Sequence, residues 1–152
     1  MRLALRLAKN GSGQTSPNPM VGAVLVKRGK IIGRGWHRRA GLPHAEIEAL
    51  RDAQKNNFSP CGATLYVTLE PCSHHGQTPP CADAIIAAGI SRVVSAMDDV
   101  DTRVSGQGHA RLRAAGVDLR TGVLAEAAAR LNLGHTLRIT KGRPMLTLKL
   151  AE

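Results

Sequence analysis

The chain has 152 residues, 43% of them apolar and 2% aromatic, with a formal net charge of +10 and a pI near 10.6. That length and apolar share fit one folded domain and exclude a disordered chain. The lone Trp36, Tyr66 and Phe58 make poor stacking platforms for single-stranded nucleic acid, and no apolar run is long enough to span a membrane.

In chain order, Leu3, Ala4, Leu7 and Ala8 recur at helical spacing and predict a helix over residues 1–9, stopped by Asn10-Gly11. The Gly-, Ser-, Thr- and Pro-rich stretch 11–19 reads as a loop. It ends in Ser16-Pro17-Asn18-Pro19, where two prolines restrict the backbone around one amide; Asn18 is either a turn residue or a group held toward a ligand. Residues 21–27 and 30–36 predict a β-hairpin about Arg28-Gly29. A basic loop follows, and His44 opens a helix to Lys55 whose buried stripe is expected at Ile47, Leu50 and Ala53. His44 and Glu46 face one cavity only if both sit in the first turn of that helix.

Residues 64–69 form a strand that delivers Glu70-Pro71-Cys72 at its C-terminal end, the edge where open α/β sheets place ligands. Pro80-Cys81 starts a helix running to Ala88, and the helix N-terminus favours thiolate at Cys81. Further on, a strand is expected over 90–97, a loop over 98–108, a helix over 110–115 and a short strand over 117–121. A helix over 124–133, ending before Gly134, and a last strand over 145–150 complete the pattern. Strands alternating with helices after a leading hairpin mean an α/β sheet.

Three cysteines, an odd number, suggest a metal in a reducing compartment rather than a disulfide framework; Cys61 has no evident partner. The combination of His44-Ala45-Glu46 with Pro71-Cys72 and Cys81 has the pattern of zinc deaminases of heteroaromatic rings. One imidazole and two thiolates would bind Zn2+ and leave a fourth position open, as in catalytic rather than structural sites. Glu46 is then free to carry protons between water, ring nitrogen and departing amine. His74 and His75 are read as loop or substrate-contact residues, because a fourth protein ligand would close the site. His37 belongs either to solvent or to the substrate wall. His109 and His135 are expected at the surface. The scattered positive charge fits either a solvated basic face or an anion site.

Nucleoside and nucleic-acid deaminases of this type space their cysteines Cys-x-x-Cys, whereas eight residues separate Cys72 from Cys81. With that spacing, the chain resembles the deaminase domain of the bifunctional riboflavin-biosynthesis deaminase/reductase family over essentially its whole length. The matching segments are residues 16–22, Gly35-Trp36-His37, Pro43-His44-Ala45-Glu46, residues 66–74, Gly76, Thr78-Pro79-Pro80-Cys81 and Ala88-Gly89. The resemblance implies a three-layer α/β/α cytidine-deaminase-like fold with a mixed sheet of about five strands. It implies hydrolysis of the exocyclic amine at C2 of a diamino-pyrimidinone bearing a phosphoribosylamino group. His44, Cys72 and Cys81 would then hold zinc and Glu46 would act as general acid and base. Asn18 and His37 would touch the pyrimidine or ribose, with His74, Gln77 and Arg103 as further substrate contacts.

The chain departs from the family at Gln77 and Gln107, where basic residues are usual, and at Asp101, where an amide is usual. Arg103 is the expected substitute for the lost cations. A deaminase acting on an unphosphorylated or otherwise altered ring therefore stands as the alternative; a basic nucleic-acid-binding module and a catalytically inert structural zinc domain are rivals of other classes. Residues 1–142 are expected to form the deaminase domain. Residues 143–152 resemble the first strand of the family's reductase domain, which this chain lacks. The expected partners are a small aminopyrimidine, a reductase and a second copy of the chain, without nucleic acid or membrane, in the cytoplasm.

Overall fold

The fold, taken from a computed structural model, is described for residues 1–74 and 79–150. Two residues of positive φ, Arg28 (50°) and Gly29 (75°), turn the chain between β1 (Gly22–Lys27) and β2 (Lys30–Trp36). Positive φ at both central positions matches the right-handed twist of a hairpin. The sheet is completed by β3 (Thr64–Val67), β4 (Arg92–Ser95) and β5 (Asp118–Arg120), in the order β2-β1-β3-β4-β5. β1 runs antiparallel to β2 and β3, while β3, β4 and β5 are parallel.

Helices α1 (Arg2–Ala8), α2 (Ala45–Lys55), α3 (Cys81–Ala87), α4 (Gln107–Ala114), α5 (Ala125–Leu131) and α6 (Leu133–Lys141) accompany the sheet. Small residues set how closely they approach. A side chain at Gly35 would run into the Ala45 carbonyl and Ala49 amide of α2, and one at Gly33 would lie 3.1 Å from the Ala53 methyl. A side chain at Gly22, which points to the other face, would strike the Ala4 carbonyl of α1. Alanine on the helices and glycine on the strands thus seat α1 and α2 almost directly on opposite faces. The main core, with Leu25, Leu65, Val67, Ile85, Val93 and Leu112, lies between the sheet and α2, α3 and α4. A smaller cluster of Leu5, Ala96 and Ala128 closes the other face beneath α1 and α5. The result is the expected three-layer α/β/α architecture.

Four expectations change. The buried stripe of α2 is Ala45, Ala49 and Ala53, with Ile47 and Leu50 only partly covered, because the glycines opposite admit nothing larger than a methyl group. Helix α4 starts at Gln107, three residues before its expected start, after Gly106 in a left-handed conformation (φ 81°). The final helix breaks at Asn132 and resumes as α6 through Gly134 to Lys141; one glycine costs a helix about 1 kcal/mol and does not end it. Residues 145–150 form no strand: Leu146, Leu148 and Leu150 are 89%, 83% and 82% exposed. Their alternating pattern offers an apolar face, but no neighbouring strand pairs with it.

Candidate active site

Because β1 is antiparallel to its neighbours, the N-terminal end of β1 and the C-terminal ends of β2, β3 and β4 share one edge of the sheet. That edge delivers His37 just after β2, Glu70-Pro71-Cys72 after β3 and Asp98-Asp99 after β4. Two helices start over it. His44 is the N-cap of α2, in extended conformation, with Glu46 in the first turn; Cys81 is the first residue of α3. His44 and Glu46 therefore meet one cavity for the reason the sequence required, since both sit at the helix end.

His44 Nδ1 lies 3.2 Å from Cys81 Sγ and 3.6 Å from Cys72 Sγ, and the Cys81 backbone N–H donates to Cys72 Sγ at 3.3 Å. The three ligand atoms all fall within 4.8 Å of one another. One imidazole nitrogen and two sulfurs converging at a cavity wall are a donor set suited to zinc with one open position. In the metal-free protein, hydrogen bonding from the Cys81 side chain holds the Cys72 thiol down to about 4, with His44 assisting. Cys81, as the partner that keeps the shared proton, is pushed up. The hydrogen bond to Cys72 raises His44 to about 9. Binding a metal at these three ligands would be coupled to loss of their protons.

Glu46 is 3% exposed and carries no ion-pair partner of its own among the described residues. Burial pushes its carboxyl up to about 7, opposed by His44. A carboxylate balanced between its two protonation states near neutral pH suits proton transfer in both directions.

The cavity, about 180 Å³, is smaller than the roughly 300–1,000 Å³ of larger ligand sites and suits a single ring. His44, Glu46 and Cys72 line the cavity together with Asn18, His37, Glu70, His74 and Asp99. His37 is buried, 2% exposed, with Nδ1 donating to the Pro43 carbonyl at 3.1 Å and Nε2 receiving Asn18 Nδ2 at 3.1 Å. These partners assign the tautomer and leave Asn18 Oδ1 as the free end of the amide. Burial lowers the His37 pKa and keeps the ring neutral. Asn18 and His37 are therefore one coupled unit, a distinction the sequence left open.

The remaining candidates diverge. Gln77 and His75 lie outside the described residues. Arg103 does not line the cavity; it grips Asp101 through Nη2 at 2.6 Å and Nε at 2.9 Å. Gln107 donates its amide to the Arg103 carbonyl at 2.7 Å.

Sequence reasoning missed two supports. Asn132, 3% exposed, donates to the Met20 carbonyl and accepts from its N–H, at 2.9 and 2.8 Å, holding the Asn18 loop from behind. His135, expected at the surface, is half-buried with its Nδ1 on the Pro17 carbonyl. The second support is Glu70, whose carboxylate receives the backbone N–H groups of Gly106, Asp99 and His109 at 2.8, 3.1 and 3.1 Å. Burial opposes the Glu70 charge, but these donors outweigh it and lower the pKa. His109 is a correction: it is 2% exposed, enclosed by Ser95, Asp98 and Glu70. No local pattern marks it, because its partners come from β3, β4 and the loop after β4.

The profile of the cytidine and deoxycytidylate deaminase zinc-binding region matches residues 1–97. The riboflavin biosynthesis protein RibD of Escherichia coli is 53% identical over 99% of this chain, which spans 40% of that protein. A deaminase/reductase structure from Thermotoga maritima superposes with TM-score 0.90 at 48% identity, covering 95% of this chain and 41% of the other. Aspergillus oryzae Rib2 deaminase, solved in complex with DARIPP, superposes with TM-score 0.70 at 27% identity, covering 90% of each chain. The chain thus spans about two fifths of the bacterial relatives it matches. Similar along its whole length to the deaminase domain of RibD, the chain belongs to the cytidine and deoxycytidylate deaminase family.

Proposed function

We propose that this domain hydrolyses the exocyclic amine of a phosphoribosylated diamino-pyrimidinone, releasing ammonia and the corresponding aminouracil for riboflavin synthesis. The observation that carries the reading is the convergence of His44, Cys72 and Cys81 beside the buried Glu46 at a ring-sized cavity. His44 Nδ1 and the two Sγ atoms would hold zinc, which when bound brings the pKa of its water to about 7.

Glu46 takes a proton from the water that adds to the ring carbon and passes it to the adjacent ring nitrogen. It then takes the proton of the newly added hydroxyl and delivers it to the departing amine, so that water and amidine become lactam and ammonia. Its raised pKa, about 7, makes both acceptance and release accessible near neutral pH. His37, held neutral between Pro43 and Asn18, fixes the Asn18 amide so that its oxygen meets a ring N–H donor. Leu69 and Val21 supply apolar surface beside the ring. The matching Thermotoga maritima protein is described as a deaminase/uracil reductase, which supports a reductase of the aminouracil product as the partner activity.

A second reading, deamination of an unphosphorylated ring, is favoured by one observation. The Arg103 fork is occupied by Asp101, which engages the loop's cation, and the neutral Gln107 amide donates to the Arg103 carbonyl, so neither is left for a phosphate. Steady-state deamination of the 5′-phosphate and its dephosphorylated form decides between them. A strong preference for the phosphate supports the main reading; equal use of both, or preference for the free ribosyl compound, supports the second.

A further inference from the structure

Buried His109 links the buried Ser95 to Asp98, an exposed residue next to Asp99 of the cavity lining. Its Nε2 receives the Ser95 hydroxyl at 2.9 Å, and its Nδ1 faces Asp98 Oδ1 at 3.1 Å. The carboxylate requires a donor, which places the ring proton on Nδ1 and leaves Nε2 as acceptor. The His109 backbone N–H meanwhile donates to Glu70 Oε1. One residue thereby ties the ends of β3 and β4 to the first turns of α4. The N–H groups of Asp99 and Gly106, at either end of the intervening loop, bind the same Glu70 carboxylate.

The chain Ser95–His109–Asp98 has the connectivity of a nucleophile, a base and an orienting acid. Ser95 is 0% exposed and is not part of the ring-cavity lining, so no substrate there reaches its hydroxyl. Glu70, Asp98 and His109 also cluster closely enough to suggest a second metal site. Glu70 already accepts three N–H donors, which aim positive hydrogens where a cation would sit. What this network does is fix a loop. Asp99, the residue after Asp98, lines the ring cavity, and Val104 from the same loop meets Cys72 and His74 in an adjoining small cavity. Gly108 presses α4 against the residue before Cys72, since a side chain there would collide with the Pro71 carbonyl.

We propose that His109 is a positioning residue for substrate recognition: through its ring on Asp98 and its backbone N–H on Glu70 it holds the 98–106 loop, which carries Asp99 into the lining of the ring cavity. It touches neither the zinc ligands nor Glu46, so it governs KM rather than the chemical step. The inference rests on the proposed deaminase function for its kinetic arm only.

The test uses zinc-loaded wild type, His109→Ala and His109→Asn, the last keeping a donor toward Asp98. Each is assayed for deamination of the phosphoribosylated diamino-pyrimidinone, zinc content and backbone hydrogen exchange at Asp99 and Gly106. The expected result for His109→Ala is a KM raised about tenfold or more, kcat within about twofold and full zinc occupancy. Exchange at Asp99 and Gly106 accelerates, and His109→Asn recovers part of both effects. A uniform loss of active protein without a change in KM, or a fall in kcat with loss of zinc, overturns the assignment. If the wild type deaminates no aminopyrimidine, the functional reading fails by itself. The exchange arm still stands: unchanged protection in His109→Ala then overturns the positioning role as well.

Discussion

The zinc-side wall and the 98–106 wall of the cavity are held by different physics. On the first, His44, Glu46 and Cys81 sit at helix starts, and α2 is seated by alanine against glycine with no room for a methyl group. On the second, an irregular loop hangs from one buried carboxylate, Glu70, through the N–H groups of Asp99 and Gly106, with a third bond from His109 of α4. Close packing resists displacement in every direction, because overlap energies rise steeply. A hydrogen-bonded loop holds only while its acceptor stays charged and in place. The metal-side wall thus has the rigidity that positions ligands, and the loop wall is the more adjustable of the two.

The largest expected effect tests the first wall chemically. Glu46→Gln should keep zinc and fold while lowering kcat by about 100- to 10,000-fold, the range for loss of a general acid–base group. Retention of wild-type kcat would remove Glu46 from the mechanism. The next tests the packing. Gly35→Val pushes into the Ala45 carbonyl and Ala49 amide and should cost at least about 1–3 kcal/mol in chemical denaturation, with zinc affinity falling as α2 shifts. A neutral result would show that α2 can move without harm.

Glu70→Gln probes the second wall. Three N–H donors lose a charged acceptor, at a cost of about 1–3 kcal/mol. The pH dependence carries a sign. The Glu70 carboxyl is held below its ordinary value of 4.5 in the fold, so its contribution is complete above that pH and drains away as the pH falls through the lower folded value. Wild type should therefore lose stability below about pH 4.5, and Glu70→Gln should lose less over the same window. Parallel curves would contradict the role of the charge. The smallest effect is expected from Arg103→Ala, whose side chain is 83% exposed and, among the described residues, paired with Asp101. Its Tm should match wild type, and a rise in KM confined to the phosphorylated substrate would reveal a phosphate contact that the Asp101 pair conceals.

The two walls also differ in how far the sequence reveals them. His44-Ala45-Glu46, Cys72 and Cys81 can be read directly, because metal chemistry demands those residue types and local structure places them at helix and strand ends. The hairpin, the strand before Cys72 and the α/β alternation follow from turn residues and apolar periodicity, while the three-layer architecture comes with the family resemblance. The loop wall is hidden. Glu70 binds backbone groups, which have no sequence identity, and His109 finds its partners across two strands. Likewise, α2 turns its alanines inward although Ile47 and Leu50 are more apolar, because glycines on β2 decide the contact. At the C-terminus the alternating leucines read as a strand, yet pairing needs a neighbour that the described residues do not provide.

The central claim is that His44, Cys72, Cys81 and Glu46 form a zinc-dependent deaminating centre. Its most direct test is mass-spectrometric turnover of the phosphoribosylated diamino-pyrimidinone by the zinc-loaded domain, by the chelator-stripped domain and after zinc is restored. The account predicts replacement of the amine by oxygen with stoichiometric ammonia, lost on stripping and recovered with zinc. A folded, fully loaded protein that leaves the ring unchanged, or turnover indifferent to the metal, would contradict it.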